Sequence, residues 1–213
     1  MRLASVWALT HLVGGVLGAQ APERVVQGNT LTSSRLPQIT LELRHPVQYV
    51  GADRWRLYGN ADCEIHLFVE ADSSKRVSRL YWVQFEAFLP QVNSRYDSYN
   101  SPVHASIGGR DFIVDGWFYP ANLPYNRPDS DREHAMRLLQ SKGYTLPKEL
   151  ATRRMVHLPT KDKRSELMII YAEDMALSGY SLADLDRGGK ALAEQPRLEK
   201  ELLQRALDRI SAR

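Results

Sequence analysis

The apolar residues between positions 37 and 118 fall in short runs that are rich in β-branched and aromatic side chains and are separated by turn residues. Two more runs of this kind follow, at 153–158 and 166–173. Short strands joined by brief connections pair as antiparallel neighbours. The pattern therefore predicts a curved antiparallel sheet of about six to eight strands, which can curl into a half-barrel. The runs are QITLELRH, RWRLYG, DCEIHLFVE, SRLYWVQFEAFL, VHASI, RDFIVDGWF, RRMVHL and ELMIIYAE.

Two of the connections carry turn chemistry that predicts hairpins. The segment ADSSKR (71–76) is typical of a hairpin loop, and the Gly-Gly pair at 108–109 supplies the positive φ values of a two-residue type I′ turn. The second turn fixes the pairing of its strands, which places His104 beside the carboxylates of Asp111 and Asp115. A histidine flanked by carboxylates is typical of an oriented base or a metal ligand, but also of a solvated sheet face.

The periodicity changes to that of a helix in SDREHAMRLLQSKG. Ser130 and Glu133 have the spacing of a capping box, and Gly143 stands where a left-handed residue ends a helix. The segment therefore predicts a capped helix over 130–142. A second, short helical piece is predicted to start at Ser181.

The last segment, QPRLEKELLQRALDRISAR, has a proline in its first turn and an apolar stripe along one side. It predicts a C-terminal amphipathic helix over 196–212, either docked on its own domain or exposed as a partner helix. Since strands come first and helices later, the chain is predicted to be α+β, with helices packed against one face or end of the sheet. The stripe consists of Leu198, Leu202, Leu203, Ala206 and Ile210.

The first 21 residues have the features of a secretory signal peptide. Arg2 supplies a positive charge, residues 3–17 are mostly apolar, and the AQA at 19–21 matches a small-x-small cleavage motif, with cleavage after either alanine. An uncleaved anchor or a buried N-terminal helix is the alternative. The segment predicts a secreted or periplasmic protein without an integral membrane segment after cleavage.

The remaining chain is predicted to form one domain. Residues 22–36 are polar and lack a sustained period, so they are interpreted as a leader, and residues 37–213 as a single α+β domain. The hydrophobic share of 43% and the charged share of 25% are ordinary for a globular protein. The single cysteine cannot form an internal disulfide, so stability must come from the core.

The charge pattern argues against a nucleic-acid partner. The formal net charge is +3, and it falls to +2 when the one basic residue of the signal segment, Arg2, is removed. Basic residues are interleaved with acidic ones, whereas nucleic-acid binding needs a clustered basic face. The sequence therefore predicts no nucleic-acid partner.

The candidate site starts from strand 62–70, where side chains alternate between two faces. Cys63 and His66 are an odd number of positions apart, so a regular strand points them to opposite faces and they cannot share a metal ion. Cys63 is predicted to lie in the core. Glu64 and His66 share the other face, and an even hairpin register would set them beside Trp82, Gln84 and Glu86, whereas an odd register would dissolve this cluster.

The aromatic loop at 115–128 is the second part of the candidate site, because it can form a rim over a cleft or simply connect a strand to a helix. No metal set and no cofactor are predicted. The polar sheet face carries too much apolar area to remain in water, so a ligand or another element must cover it. The candidate ligand-binding residues on it are Glu64, His66, Trp82, Gln84, Glu86, His104, Asp115 and Trp117.

No catalytic motif stands out, so whether the chain is an enzyme is left open. The leading hypothesis is a non-catalytic module of the cell envelope that binds a small, partly apolar ligand or a partner. One alternative is a hydrolase or isomerase that uses a histidine and a carboxylate as a general base. The other is a structural subunit that docks through the C-terminal helix.

Overall fold

The computed structural model of the protein describes residues 22–123 and 127–213. The predicted signal peptide at 1–21 and the centre of the aromatic loop lie outside these residues. Within them, no helix has the length and apolar character needed to cross a membrane.

The main sheet has eight antiparallel strands, which confirms the predicted fold class. Seven strands form a path in the order β4-β5-β6-β11-β10-β8-β7, and β9 pairs with β10 beside β8. The sheet is open and curved, not closed into a barrel. Its strands are β4 (Gln48–Leu57), β5 (Ala61–Ala71), β6 (Val77–Phe88), β7 (His104–Ile107), β8 (Arg110–Asp115), β9 (Phe118–Pro120), β10 (Glu149–His157) and β11 (Ser165–Asp174).

A second sheet of four strands contains both ends of the described chain. Its order is β1-β2-β3-β12, with strands β1 (Val25–Gln27), β2 (Thr30–Ser33), β3 (Ile39–Leu43) and β12 (Ile210–Ala212). Residues 22–36, expected to be a leader outside the fold, thus supply two strands. The C-terminal helix stops at Arg209 and not at 212, because the next three residues pair with β3.

The described residues also form three α-helices: α1 (Asp131–Ser141), α2 (Leu182–Leu185) and α3 (Gln195–Arg209). The side chain of Ser130 accepts from the amide of Glu133, as predicted, but the Glu133 carboxylate reaches back to the amide of Asp129 and not to that of Ser130. Ser181 caps α2 through a complete capping box. The helix at 130–142 and the helical piece from Ser181 are therefore confirmed.

The main sheet is packed on both faces. On the face that carries Cys63 it buries apolar side chains against α1, and this face is called the α1 face. On the face that carries Phe68 it buries apolar side chains against α3 and the second sheet, and this face is called the α3 face. The apolar stripe of the last helix, with Leu198, Leu202 and Ala206, is buried against its own domain.

The hairpin between β5 and β6 has the odd register. Cys63 pairs with Glu86, Ile65 with Gln84, and Leu67 with Trp82. Odd positions of β5 therefore share a face with even positions of β6, which places Glu64 and His66 on the α3 face and Trp82, Gln84 and Glu86 on the α1 face.

Candidate binding site beneath helix α1

Three acidic residues and the only cysteine of the chain come together on the α1 face. Cys63 of β5 lies opposite Glu86 of β6, and Glu86 lies opposite Glu166 of β11, so the three form one row across three strands. Asp131, the first residue of α1, meets this row from the helix. These four residues, Cys63, Glu86, Asp131 and Glu166, are called the acidic cluster.

Three of the four side chains of the acidic cluster are close enough to share one small ligand. The Sγ atom of Cys63 and one carboxylate oxygen each from Glu86 and Asp131 lie within 4.8 Å of one another. Cys63, Glu86 and Glu166 are only 1%, 8% and 3% exposed. Because removing several acidic groups from water is costly, such a cluster needs a proton or a cation to compensate its charge.

Uncharged donors hold Glu86 in place. The Nε2 atom of Gln84 donates to Oε2 of Glu86 at 3.0 Å, and the hydroxyl of Tyr96 donates to Oε1 at 2.7 Å. Gln84 in turn accepts from Nε1 of Trp82 at 2.9 Å. These contacts fix the position of the carboxylate, but since both donors are neutral they leave its charge uncompensated.

The burial of the acidic cluster perturbs its proton affinities. Burial raises the pKa of Glu166 to about 8, and the charge of Glu86 adds to this effect. Burial also raises the pKa of Asp131 to about 6, again with a contribution from Glu86. The pKa of the Cys63 thiol is raised by burial and then by Glu86. As the pH rises, Asp131 therefore loses its proton before Glu166 does.

Several buried polar atoms around the first turn of α1 have no hydrogen-bond partner among residues 22–123 and 127–213. They are Oε2 of Glu166, Oδ1 of Asp131, Nε of Arg132, Nε2 of His134 and Nε1 of Trp55. Buried polar atoms are nearly always paired in native proteins, because an unpaired one costs about 1–3 kcal/mol. Their concentration at one place is typical of a site that receives a polar ligand, an ion or bound water.

A histidine of α1 borders the acidic cluster. The Nδ1 atom of His134 is 2.7 Å from Oδ2 of Asp53, and its ring stacks on Trp55 with the centroids 4.1 Å apart. The hydrogen bond with His134 lowers the pKa of Asp53. With the Nδ1 proton donated to Asp53, the Nε2 atom carries the lone pair of a base or ligand.

A cavity of ≈ 220 Å³ reaches the same part of the sheet. Its lining includes Cys63 and Glu86, together with Glu64 and the arginines Arg24 and Arg54. The strands that carry the acidic cluster are therefore adjacent to a space that admits small ions and solvent.

Glu64 and His66 form a separate hydrogen-bonded chain on the α3 face, where they are 1% and 0% exposed. The hydroxyl of Tyr49 lies 3.0 Å from Nδ1 of His66, and Nε2 of His66 lies 2.8 Å from Oε1 of Glu64. Burial raises the pKa of Tyr49 to about 12, and the charge of Glu64 adds to this.

Glu64 binds the N-terminal segment of the described chain. Its carboxylate accepts from the amides of Glu23 and Arg24 at 2.9 and 3.0 Å, and from a guanidinium nitrogen of Arg24 at 3.1 Å. Burial alone would raise the pKa of Glu64, but the hydrogen bonds from His66, Glu23 and Arg24 outweigh burial and lower the pKa to about 2. Glu64 therefore anchors the segment before β1 to the main sheet.

The other predicted site residues lie apart from the acidic cluster. The hairpin places Nδ1 of His104 2.9 Å from Oδ2 of Asp111, as its register predicted, and both side chains are exposed. Asp115 accepts two hydrogen bonds from Arg154, whose guanidinium also lies 5.3 Å from the ring of Trp117. Trp117 is 39% exposed.

No protein-family model, curated protein or solved structure matches the chain. Its function is therefore inferred from the chemistry of the site. Of the predicted residues, Trp82, Gln84 and Glu86 belong to this site or support it, whereas Cys63, Asp131, His134 and Glu166 were not among the candidates. A signal for part of it was present in SRLYWVQFEAFL, where Gln84 and Glu86 break an otherwise apolar alternation that includes Leu80 and Trp82.

Proposed function

We propose that the protein is a non-catalytic binding module whose small ligand is held at the acidic cluster beneath α1. The observation that carries this proposal is the Oε2 atom of Glu166, which has no partner in the described part of the chain and belongs to a side chain that is 3% exposed and pairs across the sheet with Glu86. Natural proteins tolerate such an arrangement mainly where it serves a ligand, because it lowers the stability of the empty protein.

The surroundings favour a compact, cationic ligand over the partly apolar ligand that the sequence led us to expect. Both faces of the main sheet are covered, the α1 face by α1 and the α3 face by α3 and the second sheet. The remaining binding groups are carboxyl groups and a thiol, which attract a cation and offer little apolar surface.

The ligand can be detected by comparing the intact mass of the protein under native and denaturing conditions, after purification without chelator. We expect wild type to carry a mass that is lost on denaturation. The variants Glu86→Gln and Asp131→Asn should lack this mass, whereas His104→Ala, which alters an exposed histidine–aspartate pair elsewhere, should retain it. A wild-type protein without added mass would refute the binding proposal.

We also propose that the module works outside the cytoplasm. Support comes from the charged, apolar and small-residue segments of residues 1–21. Protein recovered from the periplasm or the medium of an expressing bacterium should begin at Gln20 or Pro22 by intact mass. Recovery of the uncleaved chain from the cytosol alone would contradict this location.

A second candidate function is acid–base catalysis, and it is favoured by the pair of Asp53 and His134. The Nε2 atom of His134, which has no hydrogen-bond partner among the described residues, can accept a proton, and the carboxyl of Glu166, whose pKa is raised by burial, can supply one. Incubation of a metabolite extract with wild type and with His134→Ala, followed by mass spectrometry, separates the two functions. If the protein is a catalyst, wild type should consume at least one compound that His134→Ala leaves intact. If it only binds a ligand, neither protein should consume any compound.

A further inference from the structure

We infer that the ligand of the acidic cluster is a divalent transition-metal cation such as Zn²⁺, bound by Sγ of Cys63 and by carboxylate oxygens of Glu86 and Asp131. This inference rests on the proposed function and narrows it to one chemical class of ligand. Three observations support it: the residue types at the site, the spacing of their ligand atoms, and the absence of a Lys, Arg or His nitrogen of residues 22–123 and 127–213 in hydrogen-bond contact with them.

The spacing suits a metal ion. Zinc lies about 2.0–2.3 Å from oxygen and sulfur ligands, so neighbouring ligand atoms around it are about 3.4–3.8 Å apart. The three atoms of Cys63, Glu86 and Asp131 already lie within 4.8 Å of one another. A movement of about 1 Å, within the reach of side-chain rotation, closes the set around an ion.

The residue types select among cations. A thiolate is a soft ligand that favours zinc and related transition metals, whereas magnesium and calcium prefer sites made only of oxygen atoms. With Cys63 in the set, the site should discriminate strongly against both alkaline-earth ions.

A fourth group stands beside the three. Glu166 pairs directly with Glu86 across the sheet, is 3% exposed, and has an Oε2 atom without a partner in the described part of the chain. Glu166 is not one of the three residues whose ligand atoms lie within 4.8 Å of one another, so its unpartnered and deeply buried oxygen is suited to accept a hydrogen bond from water on the bound ion.

Metal binding also lowers the negative charge of the site. Binding forms a metal–sulfur bond and releases the thiol proton of Cys63 to solvent, so the ion offsets two of the three negative charges carried by the thiolate, Glu86 and Asp131. The protonated Cys63 thiol of the empty protein stays an inert core group, since only the thiolate binds a metal.

The test is a titration of chelator-treated, full-length mature protein with Zn²⁺, Mg²⁺ or Ca²⁺, followed by calorimetry and thermal unfolding. We expect one Zn²⁺ per chain, a higher unfolding temperature with Zn²⁺, and no response to Mg²⁺ or Ca²⁺. The variants Cys63→Ala and Asp131→Asn should bind Zn²⁺ at least about tenfold more weakly. His104→Ala is the matched control, because it alters an exposed histidine–aspartate pair away from the acidic cluster, and it should bind Zn²⁺ as wild type does.

Cobalt provides a readout that needs no variant to fold. Co²⁺ bound to wild type should give the charge-transfer absorption of a thiolate ligand, and Zn²⁺ should abolish it. Absence of Zn²⁺ binding, or binding that His104→Ala removes and Asp131→Asn does not, would overturn the metal assignment. If the native mass shows a ligand that Asp131→Asn loses but that is not a metal, the binding function stands and only the metal assignment fails.

Discussion

Replacing Glu64 with glutamine should remove the anchor of the N-terminal segment. The Glu64 carboxylate is 1% exposed and accepts hydrogen bonds from His66, from the amides of Glu23 and Arg24, and from the Arg24 guanidinium. A glutamine has one acceptor oxygen, and its NH₂ group would face these donors. The folded protein holds the pKa of Glu64 at about 2 against an ordinary value of 4.5. Since each tenfold change in proton affinity is worth about 1.4 kcal/mol, the ionised carboxylate contributes about 3 kcal/mol.

The sign of the pH dependence follows from the lowered pKa. The contribution of Glu64 is fully present above pH 4.5, the ordinary value, and is lost as the pH falls through about 2. Urea unfolding at pH 7 should therefore show Glu64→Gln about 3 kcal/mol less stable than wild type, and the gap should narrow between pH 4.5 and 2.

The matched control for this experiment is Glu42→Gln, because Glu42 is exposed on β3. It should change the free energy of unfolding by less than about 0.5 kcal/mol at any pH. If Glu64→Gln were as stable as this control at pH 7, the anchoring role assigned to Glu64 would be refuted.

Three further perturbations test other parts of the structure. In chelator-treated protein Glu166→Gln should be more stable than wild type at pH 9 but not at pH 4. The raised pKa of Glu166 makes wild type lose stability as the pH rises from 4.5 to about 8. Equal thermal stability of the two proteins at pH 9 would contradict this. Leu202→Ala should lower the free energy of unfolding in urea by about 2–5 kcal/mol, since Leu202 is 1% exposed on the side of α3 that packs against the rest of the fold, and a loss below about 1 kcal/mol would contradict that packing. Gly108→Ala should destabilise more than Gly109→Ala in the same assay, because both have positive φ but a Cβ at 108 would lie 2.4 Å from the carbonyl oxygen of Ala212; equal losses would contradict this contact.

Local sequence signals predicted the elements and most of their faces. The glycine pair at 108–109 predicted the hairpin register and the contact between His104 and Asp111, because a two-residue turn leaves only one pairing. The parity of β5 likewise predicted that Cys63 would be buried on the face opposite His66. These signals are local, so neighbouring residues suffice to interpret them.

The acidic cluster could not be predicted in the same way, because it depends on contacts that are distant along the chain. The loop between β5 and β6 allows more than one register, and the observed odd register moves Glu86 away from Glu64 and towards Cys63. Glu166 joins the cluster only through the pairing of β6 with β11. The side chains of Asp131 and His134 reach it only because α1 packs on this face.

The first strands of the fold and the end of the C-terminal helix were not predicted from the sequence, because they too depend on contacts that are distant along the chain. Residues 25–33 and 210–212 have weak strand patterns of their own. They become strands because β2 and β12 pair with β3 and β1 pairs with β2. Arg213 and Thr40 also exchange backbone hydrogen bonds, which extends the pairing to the last residue. The partner strand, and not the local pattern, ends the C-terminal helix at Arg209.

The most direct test is a crystal structure of protein purified without chelator and soaked in Zn²⁺, with anomalous diffraction recorded at the zinc edge. The proposed site requires one anomalous peak about 2.0–2.3 Å from Sγ of Cys63 and from oxygens of Glu86 and Asp131. A map without density between these side chains, or with zinc bound only at surface pairs such as His104 and Asp111, would contradict it.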